Sequence, residues 1–427
     1  MDGPDAASRA LAKATRRLIP FMFVLYVVAY LDRINVGFAA LQMRADLGFD
    51  DRVYGLGAGI FFVGYFLFEV PSNLLLERLG ARLWIARIMV TWGLIAAAMM
   101  VVRGVATFYL LRFLLGVAEA GFFPGMILYL TYWFPAAERA HAVARFMTAT
   151  AVAGVVGAPI SGALLAIDGV GGLRGWQWLF LVEGLPAVVL GLAVLAYLPD
   201  GPASASWLTP EERRSLVARL GPEHAVEAHH AATLGAVLVD RRVWRLAVLY
   251  FVLVTGLYGV GLWLPQIVKG LSGLGDVMVG VVSAVPYVAA AIGMVLVGRH
   301  SDRTGERRWH VAGPAFAGAL GLALVAYLRS PVAALAALSL AALGTSSTLG
   351  PFWSMPASML RGTGAAAGIA LINSIGNLGG FVGPYLIGLV KEATGSFAGG
   401  LLVLAGGLVA AGVLALARRP GSERPGG

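Results

Sequence analysis

The sequence predicts an all-α membrane protein with about twelve transmembrane helices, arranged as two pseudo-symmetric six-helix bundles. Three observations predict it: an apolar composition, the spacing of the apolar segments, and an internal repeat. Of 427 residues, 59% are apolar and only 13% are charged. Mean hydropathy is +0.80. A soluble globular chain carries roughly 25% charged residues. So few charges cannot cover a water-facing surface, whereas hydrocarbon needs no polar cover.

A spanning helix needs roughly 20 apolar residues. Segments of that kind fall near 18–40, 54–76, 82–102, 105–128, 142–166 and 177–198. A second set falls near 243–267, 277–298, 309–328, 332–354, 365–389 and 396–416. The first segment carries Asp32 and Arg33 in its apolar run and has no small-x-small cleavage site. It therefore reads as a helix and not as a signal peptide. The stretch between the sets is polar and holds Pro199, Pro202, Pro210 and Pro222. Within it, Thr209-Pro210-Glu211-Glu212 marks a helix start, with a threonine cap and proline in the first turn. These features predict a bundle over 1–198, a cytoplasmic linker over 199–242, and a second bundle with a short tail over 243–427.

The repeat lies in the loops. Glu77-Arg78-Leu79-Gly80-Ala81-Arg82 stands between the second and third segments, and Asp302-Arg303-Thr304-Gly305-Glu306-Arg307 between the eighth and ninth. The offset is 225 residues, and the same offset takes Pro159 onto Pro384. Parallel six-helix repeats place a ligand between the halves near the midplane.

The net charge of +9 is a topology signal. With a cytoplasmic N-terminus, cytoplasmic loops and helix ends hold 23 of the 32 basic residues. The outer loops hold 7: Arg44, Arg52, Arg103, Arg174, Lys269, Arg329 and Lys391. That bias predicts a multi-pass inner-membrane protein with both termini cytoplasmic. Because the basic residues are scattered over loops between spans, a nucleic-acid partner is not expected.

Other classes are excluded by what is absent. There is no cysteine, hence no thiolate nucleophile and no cysteine metal site. None of the three lysines (Lys13, Lys269, Lys391) follows a glycine, so there is no Gly-Lys-Ser/Thr phosphate loop. Any active transport must then draw on an ion gradient. His141, His224, His229, His230, His300 and His310 all fall in cytoplasmic loops or at helix ends. A membrane-embedded enzyme would need a nucleophile–base pair or metal ligands inside the spans, so no enzyme activity, metal or cofactor is expected. The His229-His230 pair could bind metal, but such a pair in a polar linker is usually solvated.

Charges inside the membrane are costly and usually line a path or pair together. The first segment contains Tyr30-Leu31-Asp32-Arg33-Ile34-Asn35, and the fourth contains Arg112 and Glu119 seven residues apart. At 1.5 Å per residue from the cytoplasmic end, Asp32 and Arg33 lie roughly 21–23 Å up, Arg112 about 24 Å and Glu119 about 13 Å. Tyr65 falls between these levels. An arginine stays charged and offers a two-pronged fork to a carboxylate. A carboxylic acid in an apolar site can take a proton near neutral pH. The set therefore suits proton-coupled anion transport, with Asp32 or Glu119 protonated to release a paired arginine. The alternative is a static ion-pair network joining two helices.

Glu69, beside Pro71, reads either as a third proton group or as a structural acid serving nearby backbone amides. Glu183, beside Trp176 and Trp178, reads as structural. Glycines from Gly121 to Gly125 read as close helix packing. The spans of the second half carry no charge and offer neutral polarity instead: Gln266, Ser346, Ser347, Asn373, Ser374 and Asn377. A division of labour is expected, with proton chemistry and anion capture in the first half and pocket shape in the second.

Tyr30 to Gly37, Phe68 to Asn73, Arg112 to Pro124, Trp133-Phe134-Pro135 with Glu138-Arg139, Gly350 to Trp353, and Ile369 to Gly388 together carry a pattern. It resembles the anion:cation symporter family of the major facilitator superfamily, over nearly the whole chain. The likeness is to bacterial carriers of tartrate, phthalate, hydroxyphenylacetate and similar carboxylates, with vesicular glutamate transporters and sialin as distant relatives. The resemblance implies the major facilitator fold and proton-coupled uptake of an organic carboxylate by a monomer in the bilayer. It implies that Asp32 and Glu119 are protonated in the cycle. It also implies that Arg33 contacts the substrate carboxylate, that Arg112 partners Glu119 and belongs to the substrate-binding set, and that Tyr30, Tyr65, Trp353 and Asn373 stand at the pocket.

The two repeat loops resemble the superfamily's signature. Glu77, Arg78, Arg82, Asp302, Arg303 and Arg307 would then form a gating latch on the cytoplasmic side; the plainer reading is topology-setting charge. The first loop departs from the signature, with Glu77 where aspartate is usual and Asn73 at the leading glycine. Thr150 stands where a sugar-acid carrier of the family has glutamine, and Gly350 where it has serine. Both changes remove hydrogen-bonding capacity, which favours a smaller or aromatic carboxylate. A drug or metabolite exporter on the same fold is the competing function.

Overall fold

The computed structural model describes residues 5–135, 138–139, 142, 148–228, 239–359 and 365–417, with the side chains of Glu77 and of 222–228, 357–359 and 365–367 outside that set. Its α-helices are α1 (Ala6–Leu47), α2 (Asp51–Leu79), α3 (Ala81–Ala98), α4 (Val105–Glu119), α5 (Phe122–Thr131), α6 (Ala149–Leu165), α7 (Gly175–Tyr197) and α8 (Pro210–Ala228). They continue as α9 (Arg241–Ser272), α10 (Asp276–Thr304), α11 (Arg308–Tyr327), α12 (Pro331–Ser347), α13 (Leu349–Met359), α14 (Ala365–Asn377), α15 (Gly379–Thr394) and α16 (Ala398–Leu416). Among the described residues, ten runs are long and apolar enough to cross a membrane, counting α4 with α5 and α12 with α13 as one each. The shorter apolar α6 and the α14–α15 pair bring the crossings to the expected twelve. The chain is an integral multi-pass membrane protein.

The apolar belt faces outward. Leu110, Val189, Leu296 and Val413 are each more than half exposed, while Asp32, Glu69, Arg112 and Glu119 are buried. That is inside-out for a protein in water and right for one in lipid. In the first half α3 packs on α7, α1 on α6 and α7, and α2 on α4. In the second half α11 packs on α12 and α16, α10 on α12, and α9 on α14 and α16. The halves meet where α6 lies on α10, α2 on α15 and α1 on α9. The α6–α10 seam is backbone against backbone: a Cβ on Gly162 would stand 2.9 Å from Gly280 Cα, and one on Gly280 would stand 2.5 Å from the Ala158 carbonyl oxygen. Small residues permit that approach in a membrane, where packing and not apolar burial holds helices together.

Four expected elements differ: the tenth and eleventh spans, expected over 332–354 and 365–389, each divide into two helices, α12–α13 and α14–α15, and two changes in the first half bear on the site. The first span, expected over 18–40, belongs to a helix of 42 residues. Counting apolar residues finds only the hydrocarbon-thick part. The extra turns at its start bury Ala6, Ala10 and Ala14, and Lys13 Nζ donates to Glu212 Oε2 of the linker at 2.8 Å. The fourth span, expected as one helix over 105–128, breaks after Glu119. Gly121 takes a left-handed φ of +85°, so it serves as a hinge. Ser72 Oγ donates to the Ala120 carbonyl at 2.6 Å and accepts from Trp84 Nε1 at 3.0 Å. The break thus leaves that carbonyl satisfied inside the membrane.

The linker folds as the sequence predicts at its helix start. Thr209 Oγ1 accepts from the Glu212 amide at 3.2 Å, and Glu212 Oε2 accepts from the Thr209 amide at 2.9 Å. This reciprocal cap starts α8. Trp207 stacks on Trp133 at 5.2 Å, which docks the linker on the first half.

Candidate functional site

A cavity of about 110 Å³ lies between the halves. Tyr26, Tyr30 and Arg33 reach it from one face of α1, at the i, i+4, i+7 spacing of a helical stripe. Tyr65 of α2, Tyr258 of α9 and Tyr287 of α10 join them. Arg33 carries the one charge among the described residues lining the cavity.

Arg33 is held from three sides. Its Nη2 pairs with Glu119 Oε1, at the end of α4 where the span breaks. Its Nη1 donates to Tyr258 Oη of the other half at 2.9 Å. The rings of Phe61 and Tyr65 lie 5.5 and 5.6 Å from its guanidinium carbon, close enough for cation–π attraction. Arg33 and Tyr258 are separated by 225 residues, the offset of the sequence repeat. The two occupy equivalent places in the two halves and meet across the axis between them. Three polar groups here lack partners: Arg33 Nε, Glu119 Oε2 and Tyr287 Oη. Unsatisfied buried groups are rare, and at a cavity they mark where a ligand's polar atoms would sit.

The other residues singled out in the sequence divide. Tyr30, Tyr65, Trp353 and Asn373 line the cavity, as do Thr150 and Asn377, with Trp353 edge-on to Tyr250 at 4.8 Å. Gly350 does not line it. Asp32 points into the first half, where Oδ2 accepts from Trp92 Nε1 at 2.8 Å and Oδ1 from Asn35 Nδ2 at 3.3 Å. Adjacent residues on a helix diverge by about 100°, which is why Asp32 and Arg33 face different ways.

Arg112 departs from expectation. Its Nε and Nη2 donate to the carbonyls of Gly57 and Ala58 in α2 at 3.1 and 2.9 Å, and it does not line the cavity. Glu119 pairs instead with Arg33. The depth count placed Arg33 about 9 Å above Glu119 along the axes. It ignored both side-chain reach and the direction each helix face points. Tyr26, Tyr250, Tyr258 and Tyr287 were not singled out in the sequence. The stripe on α1 and the repeat offset are the signals that point to Tyr26 and Tyr258.

Glu69 is satisfied by side chains of the other half and not by backbone amides beside Pro71. Its carboxylate accepts from Asn373 Nδ2 at 2.5 Å and Ser374 Oγ at 2.8 Å, both from α14 of the other half. Glu183 accepts from Ser161 Oγ at 2.7 Å, a contact within the first half.

The repeat loops each close on their own half. Arg82 pairs with Asp200 at 3.2 Å and its Nε donates to the Leu195 carbonyl at 3.0 Å. Arg307 pairs with Asp302 at 2.7 Å and donates to Ser301 Oγ at 2.8 Å. Arg78 and Arg303 are exposed, and the Glu77 side chain lies outside the described residues. So do His141, His229 and His230, and the side chain of His224. At the end away from the chain termini the halves are tied together. Lys391 pairs with Asp51 at 2.6 Å, Gln42 Nε2 donates to Asp276 Oδ2 at 2.9 Å, Arg44 donates to Gln266 Oε1 at 2.7 Å, and Tyr54 Oη donates to the Leu262 carbonyl at 2.6 Å.

The profile of the Major Facilitator Superfamily matches residues 22–384. A putative tartrate transporter of Agrobacterium vitis is 55% identical over 397 residues, covering 93% of this chain and 92% of its own length. A quinolone resistance transporter of Acinetobacter baumannii is 47% identical over 402 residues, covering 94% of this chain and 92% of its own. In fold, the chain is similar to the xylose transporter XylE from E. coli in a partially occluded inward-open conformation, with a TM-score of 0.76 at 13% identity, over 94% of this chain and 97% of that one. By its sequence and by its fold, the chain belongs to the major facilitator superfamily of membrane transporters and is not an enzyme.

Proposed function

We propose that this protein imports a small organic carboxylate together with protons, by alternating access, across the inner membrane with both termini in the cytoplasm. The observation that carries the reading is the Arg33–Glu119 ion pair at the wall of a cavity in which Arg33 is the sole charge among the described lining residues. A proton on Glu119 frees the guanidinium fork. A substrate carboxylate then takes the place of Glu119, with hydroxyls from Tyr258 and Tyr287 beside it. Neither partner is stable alone in a low-dielectric site, so proton and anion bind together. Asp32, behind Arg33, is the second group proposed to be protonated. Arg112 holds α4 to α2 and keeps Glu119 in place, a positioning role and not substrate contact. The bundle of 1–198 rocks against that of 243–427, with 199–242 as the tether. The loops carrying Glu77, Arg78 and Arg82, and Asp302, Arg303 and Arg307, latch the cytoplasmic side when the outer side opens.

The relative named as a putative tartrate transporter supports the carboxylate class. The cavity, at about 110 Å³, is smaller than the ~300–1,000 Å³ of pockets for drug-sized ligands, which supports a small substrate. A second reading, efflux of a drug or metabolite by antiport, is favoured by the quinolone resistance relative.

Thermal unfolding of the purified protein against a panel of carboxylic acids, at acidic and neutral pH, separates them. Import predicts that one acid raises the melting temperature, more at acidic pH, and that Arg33→Ala does not respond. Shifts with cationic or neutral drugs and none with acids would favour the exporter.

A further inference from the structure

Four of the seven basic residues assigned to the outer loops converge on one place. Arg44 of α1, Lys269 of α9, Arg329 just past α11 and Lys391 of α15 line a cavity of about 700 Å³ at the outer end, with no carboxylate among its described lining residues. The positive-inside rule gives no reason for cations on this side. Their clustering in a concave site therefore calls for a different cause.

Three of the four are engaged from behind the cavity wall. Asp51 pairs with both Arg44 and Lys391 at 2.6 Å, and Asp276 pairs with Lys269 at 2.6 Å. Arg329 is exposed and makes no ion pair or hydrogen bond among the described residues. Gln266 also lines the cavity, and its buried Nε2 has no acceptor. Three of the four cations are paired from behind, and Arg329 is left unpaired on a void wide enough for a solvated small molecule. The Trp263 ring lies 5.8 Å from the Arg44 guanidinium carbon and 5.4 Å from Lys391 Nζ, so the cations are held in place.

The same residues tie the two halves together. The Lys391–Asp51 pair joins α15 to α2, and the Arg44–Gln266 bond joins α1 to α9. We propose that this vestibule is a second anion site, which takes a small carboxylate from the outside. Its occupancy loosens the outer closure by drawing Lys391 and Arg44 away from Asp51 and Gln266. A carboxylate there meets the same cations that Asp51 meets, so the two compete. The vestibule then serves as both a capture site and a trigger for opening. The inference rests on the proposed function only for its outward orientation and for carboxylate as the probe. An anionic lipid headgroup offers similar chemistry, so the test separates the two sources.

The test is equilibrium binding of radiolabelled tartrate to the full-length protein, comparing wild type, Arg33→Gln, Arg329→Gln and the double variant. Arg329 has no described partner to disturb, so its substitution leaves the fold intact. Arg33→Gln is expected to retain a weaker class of sites, and adding Arg329→Gln to lower that residual affinity by about threefold or more. No residual binding in Arg33→Gln, or residual binding indifferent to Arg329→Gln, overturns the second site. If the central carboxylate site is itself wrong, Arg33→Gln binds like wild type, while Arg329→Gln against its parent still reads the vestibule.

Repeating the measurement in nanodiscs with and without anionic lipid distinguishes the occupants. Residual binding abolished by anionic lipid means a headgroup fills the site and overturns capture of a soluble anion. Opening is read from Ile34→Cys, which is labelled alone because the chain has no cysteine of its own. Ile34 lines the central cavity beneath the outer closure. Tartrate is expected to speed its labelling by an impermeant thiol reagent from outside in the Arg33→Gln background. Unchanged or slower labelling overturns the trigger.

Discussion

Arg33 concentrates the chemistry because its fork is shared among Glu119, Tyr258 and the cavity. A lysine there keeps the charge but not the planar fork. Arg33→Lys is therefore expected to weaken carboxylate binding about tenfold or more, and Arg33→Ala further, by the same thermal-shift or binding titration. Glu119→Gln models the permanently protonated state. It should exchange substrate down its gradient yet fail to accumulate it against one, which counterflow and pH-jump uptake distinguish. Arg112→Gln should instead act on stability. Losing two charge-assisted bonds to the Gly57 and Ala58 carbonyls costs about 2–5 kcal/mol, visible as a lower melting temperature with the pH dependence of uptake unchanged. A Glu119-like loss of coupling in that variant would contradict the positioning role. Arg33 and Glu119 were legible in the sequence because a charge in an apolar run is costly and demands a reason. The partner of Arg112 was not. Residue counting gives depth along an axis, while partner choice depends on where each helix face points.

At the scale of elements, the number of crossings was legible and their interruptions were not. Apolar length fixes how many helices cross, since every backbone group must be satisfied within the span. The break at Ala120–Gly121 depends on Ser72 of another helix reaching the freed carbonyl, a tertiary contact that no local pattern encodes. Ser72→Ala should leave that carbonyl unsatisfied, destabilise the protein by about 1–3 kcal/mol, and move Glu119 relative to Arg33. The α6–α10 seam tolerates no side chain at Gly162 or Gly280. Under the proposed alternating access the seam parts when the outer side opens, so Gly280→Leu should fold but trap the transporter open to the outside. Labelling of the Ile34→Cys reporter from outside would then rise while net uptake falls; unchanged labelling would show that the seam does not gate access.

Over the whole molecule, the two halves meet at the cavity and at the ties beyond it, and the linker docks on the first half. The linker contact has its own pH signature. Hydrogen bonds from Lys13 and from the Thr209 amide hold the Glu212 carboxyl below the usual glutamate range. A depressed folded-state value adds stability that is fully present above the ordinary glutamate pKa of about 4.3, and that is lost as pH falls through the folded value. Amide exchange in α8 should therefore stay protected down to about pH 4.3 and rise only below it, and Glu212→Gln should weaken protection above that pH and converge with the wild type below it. The two-half architecture was visible in the sequence through the 225-residue offset, and the structure carries that offset into the site, where Arg33 meets Tyr258. The outer vestibule was not visible, because its four cations come from α1, α9, the turn after α11 and α15, far apart in sequence.

The central claim is that protons drive carboxylate inward through Arg33. The most direct test is uptake of labelled tartrate into proteoliposomes under an imposed pH gradient, acidic outside. One pH unit is worth about 1.4 kcal/mol per proton moved, or about tenfold accumulation for each proton that accompanies the substrate. The account predicts accumulation that collapses when the gradient is dissipated and is absent in Arg33→Ala. Accumulation indifferent to the gradient, or equal in Arg33→Ala, would contradict it.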